Sequence, residues 1–247
     1  MTRCCHNYVN QAIGVNPLND ALYKTVHWLG TPLRFRLIGI ENIRDSGPAI
    51  FVGNHLASEG PIAVILSLPV RFYTWTIAEM MDFERASQYL YDDFVHPVWH
   101  LDGRFGEVVS YLVSRFTVVL LTSLGSISVD RNRGGFSEPF RRSLDLLVQG
   151  KNLLIFPEDP KTMLDPETQM RPFMVGFTWL CHLYFKEIGQ NLPVYPTAAF
   201  PKERMISIGK PLYFPLVGDP RQQIRVFGRQ VEVEVKMLYL ALINHKG

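Results

Sequence analysis

Short apolar runs alternate with stretches of helical periodicity along this chain. Residues 49–53 are apolar without interruption, and residues 152–156 are apolar after Asn152, which is typical of strands buried on both faces of a sheet. Further strands are predicted at residues 34–40, 71–77, 193–199 and 205–209. Helices are predicted at residues 17–30, 61–68, 138–148 and 173–188. Strands alternating with helices indicate an α/β fold, a layered sheet with flanking helices.

Residues 1–32 are predicted to form an N-terminal helical region. Pro17 is favourable at a helix start and Gly30 at a helix end. The apolar side chains between them recur at helical spacing and are Leu18, Leu22, Val26 and Leu29. Such an amphipathic helix either packs on the core or lies on a membrane surface, and the pattern is compatible with both.

The middle of the chain is aromatic and mixed in charge. We expect residues 82–106, which Pro97 interrupts, to form helices that cover the site as a lid insertion. The apolar stretch at 108–125 is broken by Ser114-Arg115 and by Thr122-Ser123, leaving about ten uninterrupted residues where a span needs about twenty. This stretch therefore predicts a buried or interfacial helix.

Composition indicates a globular protein. The 247 residues are 47% hydrophobic and 19% charged, and no repeat or flexible linker divides them, so one domain over 1–247 is the simplest organisation. A net charge of +2 with scattered basic residues does not favour nucleic acid. The start of the chain lacks the apolar core of a signal peptide, and three cysteines make no disulfide framework, so a cytoplasmic location is expected.

Three segments of the chain pass from strand-like residues to polar ones. Asn54-His55 ends the first, and Glu59 comes four residues after His55. A histidine at a strand end can act as a general base when a carboxylate fixes its tautomer. The alternative is a loop histidine with a structural role.

The other two polar segments offer groups for an anion. Glu158 follows the strand at 152–156, and Lys161 and Thr162 supply an ammonium and a hydroxyl just beyond. Asp130-Arg131 follows Ser128-Val129 in a further segment that passes from strand to polar residues. Taken singly, each segment is as compatible with a structural role as with anion binding. The first could be an ordinary turn, and the second could be a solvated charge cluster.

In this order, the segments resemble the motifs of the glycerolipid acyltransferase family, typified by bacterial 1-acylglycerol-3-phosphate acyltransferases. The family's Asn-His-x-Ser-x-x-Asp is similar to residues 54–60, its Gly-x-x-x-x-Asp-Arg to 125–131, and its Phe-Pro-Glu-Gly-Thr-Arg-Ser to 156–162. A valine- and proline-rich strand is similar to residues 192–198, and weaker matches extend the resemblance over roughly residues 18–215.

The resemblance implies a glycerol-3-phosphate acyltransferase-like fold and an O-acyltransferase. A fatty acyl chain would move from acyl-CoA or acyl-carrier protein to a hydroxyl of a lysophospholipid-like acceptor at a membrane surface, with no cofactor and no metal. His55 would be the general base. The residues that would surround the acceptor are Asn54, Arg131, Glu158, Lys161 and Thr162.

The sequence also departs from the family pattern. Gly60 occupies the position of the family's catalytic Asp, so we hypothesise that Glu59 orients His55 instead. Lys161 replaces the usual Arg and loses its bidentate geometry, and Asp159-Pro160 replaces Gly-Thr. Two alternatives remain, a catalytically silent lipid- or carrier-binding homologue and an acyltransferase for a non-phospholipid acceptor.

Overall fold

An eight-stranded sheet is the centre of the computed structural model, which describes residues 17–43, 47–55, 59–130 and 138–244. The strands are β1 (Arg36–Ile38), β2 (Ile50–Gly53), β3 (Phe72–Ile77), β4 (Ile127–Val129), β5 (Asn152–Ile155), β6 (Pro193–Phe200), β7 (Met205–Ile208) and β8 (Leu212–Tyr213). Their order is β1-β7-β6-β2-β5-β3-β4, with β8 paired to β6. The pairings are parallel except β6 with β7 and β6 with β8.

Helices cover both faces of this sheet. They are α1 (Pro17–Leu29), α2 (Glu59–Ser67), α3 (Arg85–Leu90), α4 (Gly103–Ser123), α5 (Glu138–Val148), α6 (Trp179–Ile188) and α7 (Pro220–Asn244). The core on one face contains side chains of α5, α6 and α7, and the core on the other face contains side chains of α2. The structure is therefore the single-domain α/β layered fold that the sequence predicted.

Burial on both faces explains why the central strands read as continuous apolar runs. In β2, Ile50 and Val52 belong to the core under α5, α6 and α7, whereas Phe51 belongs to the core under α2. Each of these side chains is at most 1% exposed. Successive strand residues point to opposite faces, so a strand covered on both sides needs apolar residues at every position.

The elements between β3 and β4 form an exposed helical pair. Helix α4 packs on α3, and the Ser110 hydroxyl donates to the Ser87 carbonyl at 2.5 Å. Ser114-Arg115 does not interrupt α4, and side chains such as Phe105 and Phe116 are 68% and 69% exposed. The buried-helix alternative is therefore wrong for this segment, while the interfacial one stays a prediction, as does the lid role of residues 82–106.

Helix α4 also meets a criterion that the interrupted apolar pattern did not suggest. Among the described residues, it is the one helix long and apolar enough to cross a membrane, judged by length and composition only. Its most apolar window has a mean hydropathy of 1.4, with 22% of that window buried.

Two element boundaries differ from the sequence prediction for tertiary reasons. The helix expected from residue 173 begins at Trp179, because Phe173 forms an antiparallel bridge with Glu158 and a short 3-10 turn follows at Val175–Thr178. Strand β1 stops at Ile38 because Gly39 has a φ of 76°, in the left-handed region.

Candidate active site

The carboxyl ends of parallel strands β2 and β5 place two of the predicted segments side by side. Val52 pairs with Ile155, so His55 and Glu158 leave the sheet at the same edge. The backbone N–H of His55 donates to Oε1 of Glu158 at 2.7 Å. Open α/β sheets carry their ligand sites outside this edge, so we regard it as the candidate active site.

Asn54 holds the end of β2 against β6. Its Nδ2 donates to the Ala199 carbonyl at 3.0 Å, and its Oδ1 accepts the Ala199 N–H at 2.8 Å. The Asn54 side chain is fully buried, so it presents no surface to a bound molecule. The amide nitrogen and the amide oxygen of Asn54 both bond to the backbone of Ala199 in β6. This pair of hydrogen bonds fixes the direction of the chain immediately before His55.

Glu158 joins three segments through one carboxylate. Besides accepting from His55, it accepts the backbone N–H of Arg171 at Oε2, at 2.9 Å. The residue is only 9% exposed. Burial raises the pKa of the Glu158 carboxyl above its ordinary value, and the two backbone hydrogen bonds together with the charges of Arg171 and Lys236 partly oppose that rise.

The His55 side chain is exposed at the rim of the site. Its imidazole stands edge-on to the ring of Phe156, with centroids 5.7 Å apart and an interplanar angle of 88°. An exposed imidazole beside an apolar ring is accessible to an incoming hydroxyl, as a general base must be.

Gly60 leaves no room for a side chain. A Cβ at this position would lie 2.5 Å from the carbonyl oxygen of His55 and 3.1 Å from that of Asn54. Both atoms are backbone, so neither can move aside cheaply. With this backbone, the family's Asp cannot occupy position 60, and the glycine is required by packing of the first turn of α2 against residues 54–55.

Residues 157–174 form a hydrogen-bonded loop beside His55. The Asp159 N–H donates to the Pro172 carbonyl and the Met174 N–H to the Pro157 carbonyl, at 2.9 and 2.8 Å. The tip of this loop is a tight turn in which Oδ1 of Asp159 accepts the Lys161 N–H at 3.0 Å. The Asp159 side chain thus takes part in the turn, and Lys161 is exposed at the tip.

A charge network between α7 and this loop, centred on the buried Glu232, holds the loop from the opposite side. Oε2 of Glu232, which is 7% exposed, accepts the Phe173 N–H at 3.1 Å. Oε1 of Glu232 lies 3.2 Å from Lys236 Nζ, which also lies 3.3 Å from an oxygen of Asp165. The loop is therefore anchored both to the strand edge and to the C-terminal helix.

The structure describes some of the predicted site residues and not others. Arg131 lies outside the described residues, as does the side chain of Glu59, whose backbone begins α2. Thr162 is in the turn, where its hydroxyl donates to the Asp159 carbonyl at 2.8 Å. Lys161 and Thr162 therefore lie on the same loop as Glu158.

Two contributors to this site were not predicted. The Arg171 guanidinium donates to the Thr162 carbonyl and so closes the loop across its width. The Arg171-Pro172-Phe173 sequence was the available signal, because a lone cation next to a proline suggests a fixed turn. Glu232 had a weaker signal, a carboxylate on a helix face that is otherwise apolar and buried.

The comparisons with known proteins support the fold. No family sequence profile matches the chain, and no curated protein matches it by sequence. Five chains of solved structures match it, and the likeness shows the fold alone. One is the 1-acyl-sn-glycerophosphate (LPA) acyltransferase PlsC from Thermotoga maritima, with a TM-score of 0.59 and 13% identity, over 93% of this chain and 83% of that chain. The resemblance that the motifs indicated is thereby confirmed at the level of the fold.

Proposed function

We propose that this protein is an O-acyltransferase that moves a fatty acyl chain from an acyl thioester to a hydroxyl of a lysophospholipid-like acceptor. The observation that carries the proposal is the hydrogen bond from the His55 backbone to Glu158, which joins the two motif segments at the edge where α/β sheets bind ligands. The shared fold supports the same reaction class.

The reaction needs one base and no covalent enzyme intermediate. The His55 imidazole takes the proton of the acceptor hydroxyl as the oxygen attacks the thioester carbonyl carbon. A C–O bond forms and the C–S bond breaks, and the imidazolium returns the proton to the departing thiolate. An exposed imidazole on a fixed backbone suits this role because the acceptor reaches it from solvent or from a lipid surface.

We propose that some neighbouring residues bind the acceptor and that others position the base. Lys161 and Thr162 would bind the acceptor's head group, since they supply a cation and a hydroxyl on the loop that carries Glu158. Arg131 would supply a second cation to the same group. Asn54 and Glu158 would act as positioning residues, because their polar atoms are committed to backbone groups of the neighbouring segments.

Glu59 is the carboxylate that we propose orients His55. The packing at Gly60 supports this assignment, because the family's Asp has no space there. In serine proteases, which also pair a histidine base with a carboxylate, losing the orienting carboxylate lowers turnover by about four orders of magnitude. A protein with an uncompensated glycine would therefore be nearly inactive.

Thiol release from acyl-CoA and from acyl-carrier protein, with a panel of lysophospholipid acceptors, tests the proposal. His55→Ala should abolish release, and Glu59→Gln should reduce it by about 10²-fold or more. His182→Ala is the matched histidine control, because His182 lies in helix α6 and not at the sheet edge that carries His55. Full transfer by either site variant would remove that residue from the mechanism.

The missing Asp also favours a second candidate, a catalytically silent protein that binds lipid or acyl carrier. The steric requirement at Gly60 is the specific observation behind it. Wild-type protein that binds acyl donor but releases no thiol with any acceptor, with unchanged binding in His55→Ala, would select this candidate over the enzyme.

A further inference from the structure

A pocket lies at the end of the sheet opposite the candidate active site. It has a volume of about 640 Å³, within the range typical of ligand sites, and it opens between α1 and the first residues of β3 and β5. Lys151 in its wall and Glu158 at the active site are at opposite ends of β5. At about 3.3 Å per residue the two are roughly 20 Å apart.

The lining of this pocket is strongly basic. Its cationic side chains are Lys24, Arg34, Arg71 and Lys151, with His27 beside them, and its one carboxylate is Asp20. Asp20 is already paired, because its Oδ1 accepts from Nε of Arg71 at 2.6 Å. The other cations therefore leave an uncompensated positive charge around the opening.

Arg71 fixes the wall of the pocket through several contacts at once. Its guanidinium lies between the rings of Tyr23 and Tyr73, 4.5 and 4.7 Å from their centroids. Its Nη2 also donates to the Leu124 carbonyl, next to the end of α4, at 3.2 Å. These contacts join α1, α4 and the sheet into one preformed wall.

Two lysines remain available to a ligand. Lys24 is exposed and Lys151 is half-buried, and neither takes part in an ion pair within the described part of the chain. Arg34 is partly engaged, since its Nη2 lies 2.7 Å from Nδ1 of His27. An anion in the opening would gain attraction from Lys24 and Lys151 without displacing an existing partner.

The surface around the opening is apolar. Trp28, which lines the pocket, is 73% exposed, and Leu29 and Leu33 beyond it are 63% and 58% exposed. Exposed tryptophan and leucine beside unpaired lysines match the boundary between lipid head groups and acyl chains.

Helix α4, which ends at the pocket wall, carries a related pattern. It buries the small residues Gly106, Ser110 and Ser114, and it exposes Leu112 and Phe116. Burying small residues and exposing large apolar ones is the arrangement of helices that face lipid.

We propose that this pocket binds the phosphate of an anionic phospholipid, with Lys24 and Lys151 as its cationic contacts and the neighbouring apolar side chains entering the bilayer. Charge complementarity selects an anionic lipid over a neutral one, and the exposed apolar rim selects a bilayer over a soluble phosphate. The site does not depend on acyl transfer, because it lies at the other end of the sheet.

Vesicle co-sedimentation without acyl donor tests this site, using phosphatidylcholine vesicles with and without phosphatidylglycerol. Wild-type protein should bind the anionic vesicles more tightly, and the double variant Lys24→Glu/Lys151→Glu should weaken that binding by at least about tenfold. The matched control is Lys186→Glu/Lys210→Glu, which makes the same change in net charge at exposed lysines outside the pocket. It should change binding by less than about twofold.

Three results would overturn the proposal. Absence of a preference for phosphatidylglycerol would remove the anionic lipid. An equal loss in both double variants would show that net charge, not this pocket, governs binding. Titration with inorganic phosphate tests whether the ligand is instead a soluble phosphate. If wild-type protein bound phosphate saturably but bound no vesicles, and the pocket variant lost phosphate binding, the pocket would be assigned to a soluble ligand.

Discussion

Replacing Glu158 by Gln should loosen the backbone that carries the proposed base. The carboxylate accepts two backbone N–H groups, from His55 at 2.7 Å and from Arg171 at 2.9 Å. An amide has one accepting oxygen, and its NH₂ group would face the second N–H donor. Glu158→Gln keeps the shape of the side chain and removes one of the two hydrogen bonds.

The magnitude follows from the burial of these groups. A hydrogen bond to a charged group contributes about 1.5–3 kcal/mol, and a buried N–H left unpaired costs about 1–3 kcal/mol. Glu158 is only 9% exposed, and removing its charge relieves the cost of burying a carboxylate, which offsets most of this loss. We therefore expect a net change of no more than about 1 kcal/mol in the free energy of unfolding. A displacement of the base by about 1 Å would lower kcat/KM by about 10²-fold.

The pH dependence has a defined sign. Burial raises the pKa of Glu158 above 4.5, its ordinary value, so the folded protein holds this proton more tightly than the unfolded chain. The carboxyl therefore favours the folded state below about pH 4.5, and that contribution is lost as the pH rises through the folded pKa. Activity should increase over the same window, because the ionised carboxylate accepts both N–H groups.

Denaturant unfolding and pH profiles of kcat/KM measure these effects. Glu158→Gln should lose the acid limb that this carboxyl contributes, and Glu187→Gln, an exposed glutamate on α6, is the matched control. If Glu158→Gln had the kcat/KM and the pH profile of the wild type, the reasoning that this carboxylate positions the base would be refuted.

Further predictions concern the supports of the site. Gly60→Asp should destabilise the fold by about 1–3 kcal/mol and should not raise the acyl-transfer rate above that of the wild type, because its Cβ would lie 2.5 Å from a backbone oxygen. Gly176→Ala, where a Cβ meets nothing within 4 Å, should leave the melting temperature unchanged or slightly raised, and a tolerated Gly60→Asp would contradict the packing argument. Asn54→Ala should cost about 3 kcal/mol in denaturant unfolding, since it leaves two buried backbone groups unpaired. Glu232→Gln should cost about 1–2 kcal/mol and speed proteolysis within residues 157–174, because the Phe173 N–H loses its charged acceptor; an unchanged cleavage rate would exclude α7 as an anchor.

Much of the element pattern could be predicted because it depends on local sequence. Helix α5 has the predicted bounds, since its apolar spacing and the glycine at residue 150 are both local signals. The predicted start of α6, residue 173, was wrong. Phe173 forms a bridge with Glu158 across the loop, and this bridge competes with helix formation. Strand β8 and helix α7 were not predicted, although α7 supplies Glu232.

The meeting of two site segments was also predictable, but the bonds between them were not. Parallel strands end at the same edge, so the sequence could place His55 near Glu158. It could not show that Glu158 binds backbone N–H groups, because an acidic residue after a strand is equally suited to face a ligand. Likewise, the two hydrogen bonds of Asn54 depend on β6, which lies 145 residues further along the chain.

By itself, the sequence determined the α/β class, the strands buried on both faces and the edge of the sheet where chemistry would collect, because these follow from periodicity and from residues adjacent in the chain. The tertiary structure decided what each polar group contacts. Gly60 shows the difference: in the sequence it is a missing carboxylate, and in the fold it is a position where only glycine fits against the His55 carbonyl. Contacts between distant segments set that constraint, and a linear pattern does not encode the distance between them.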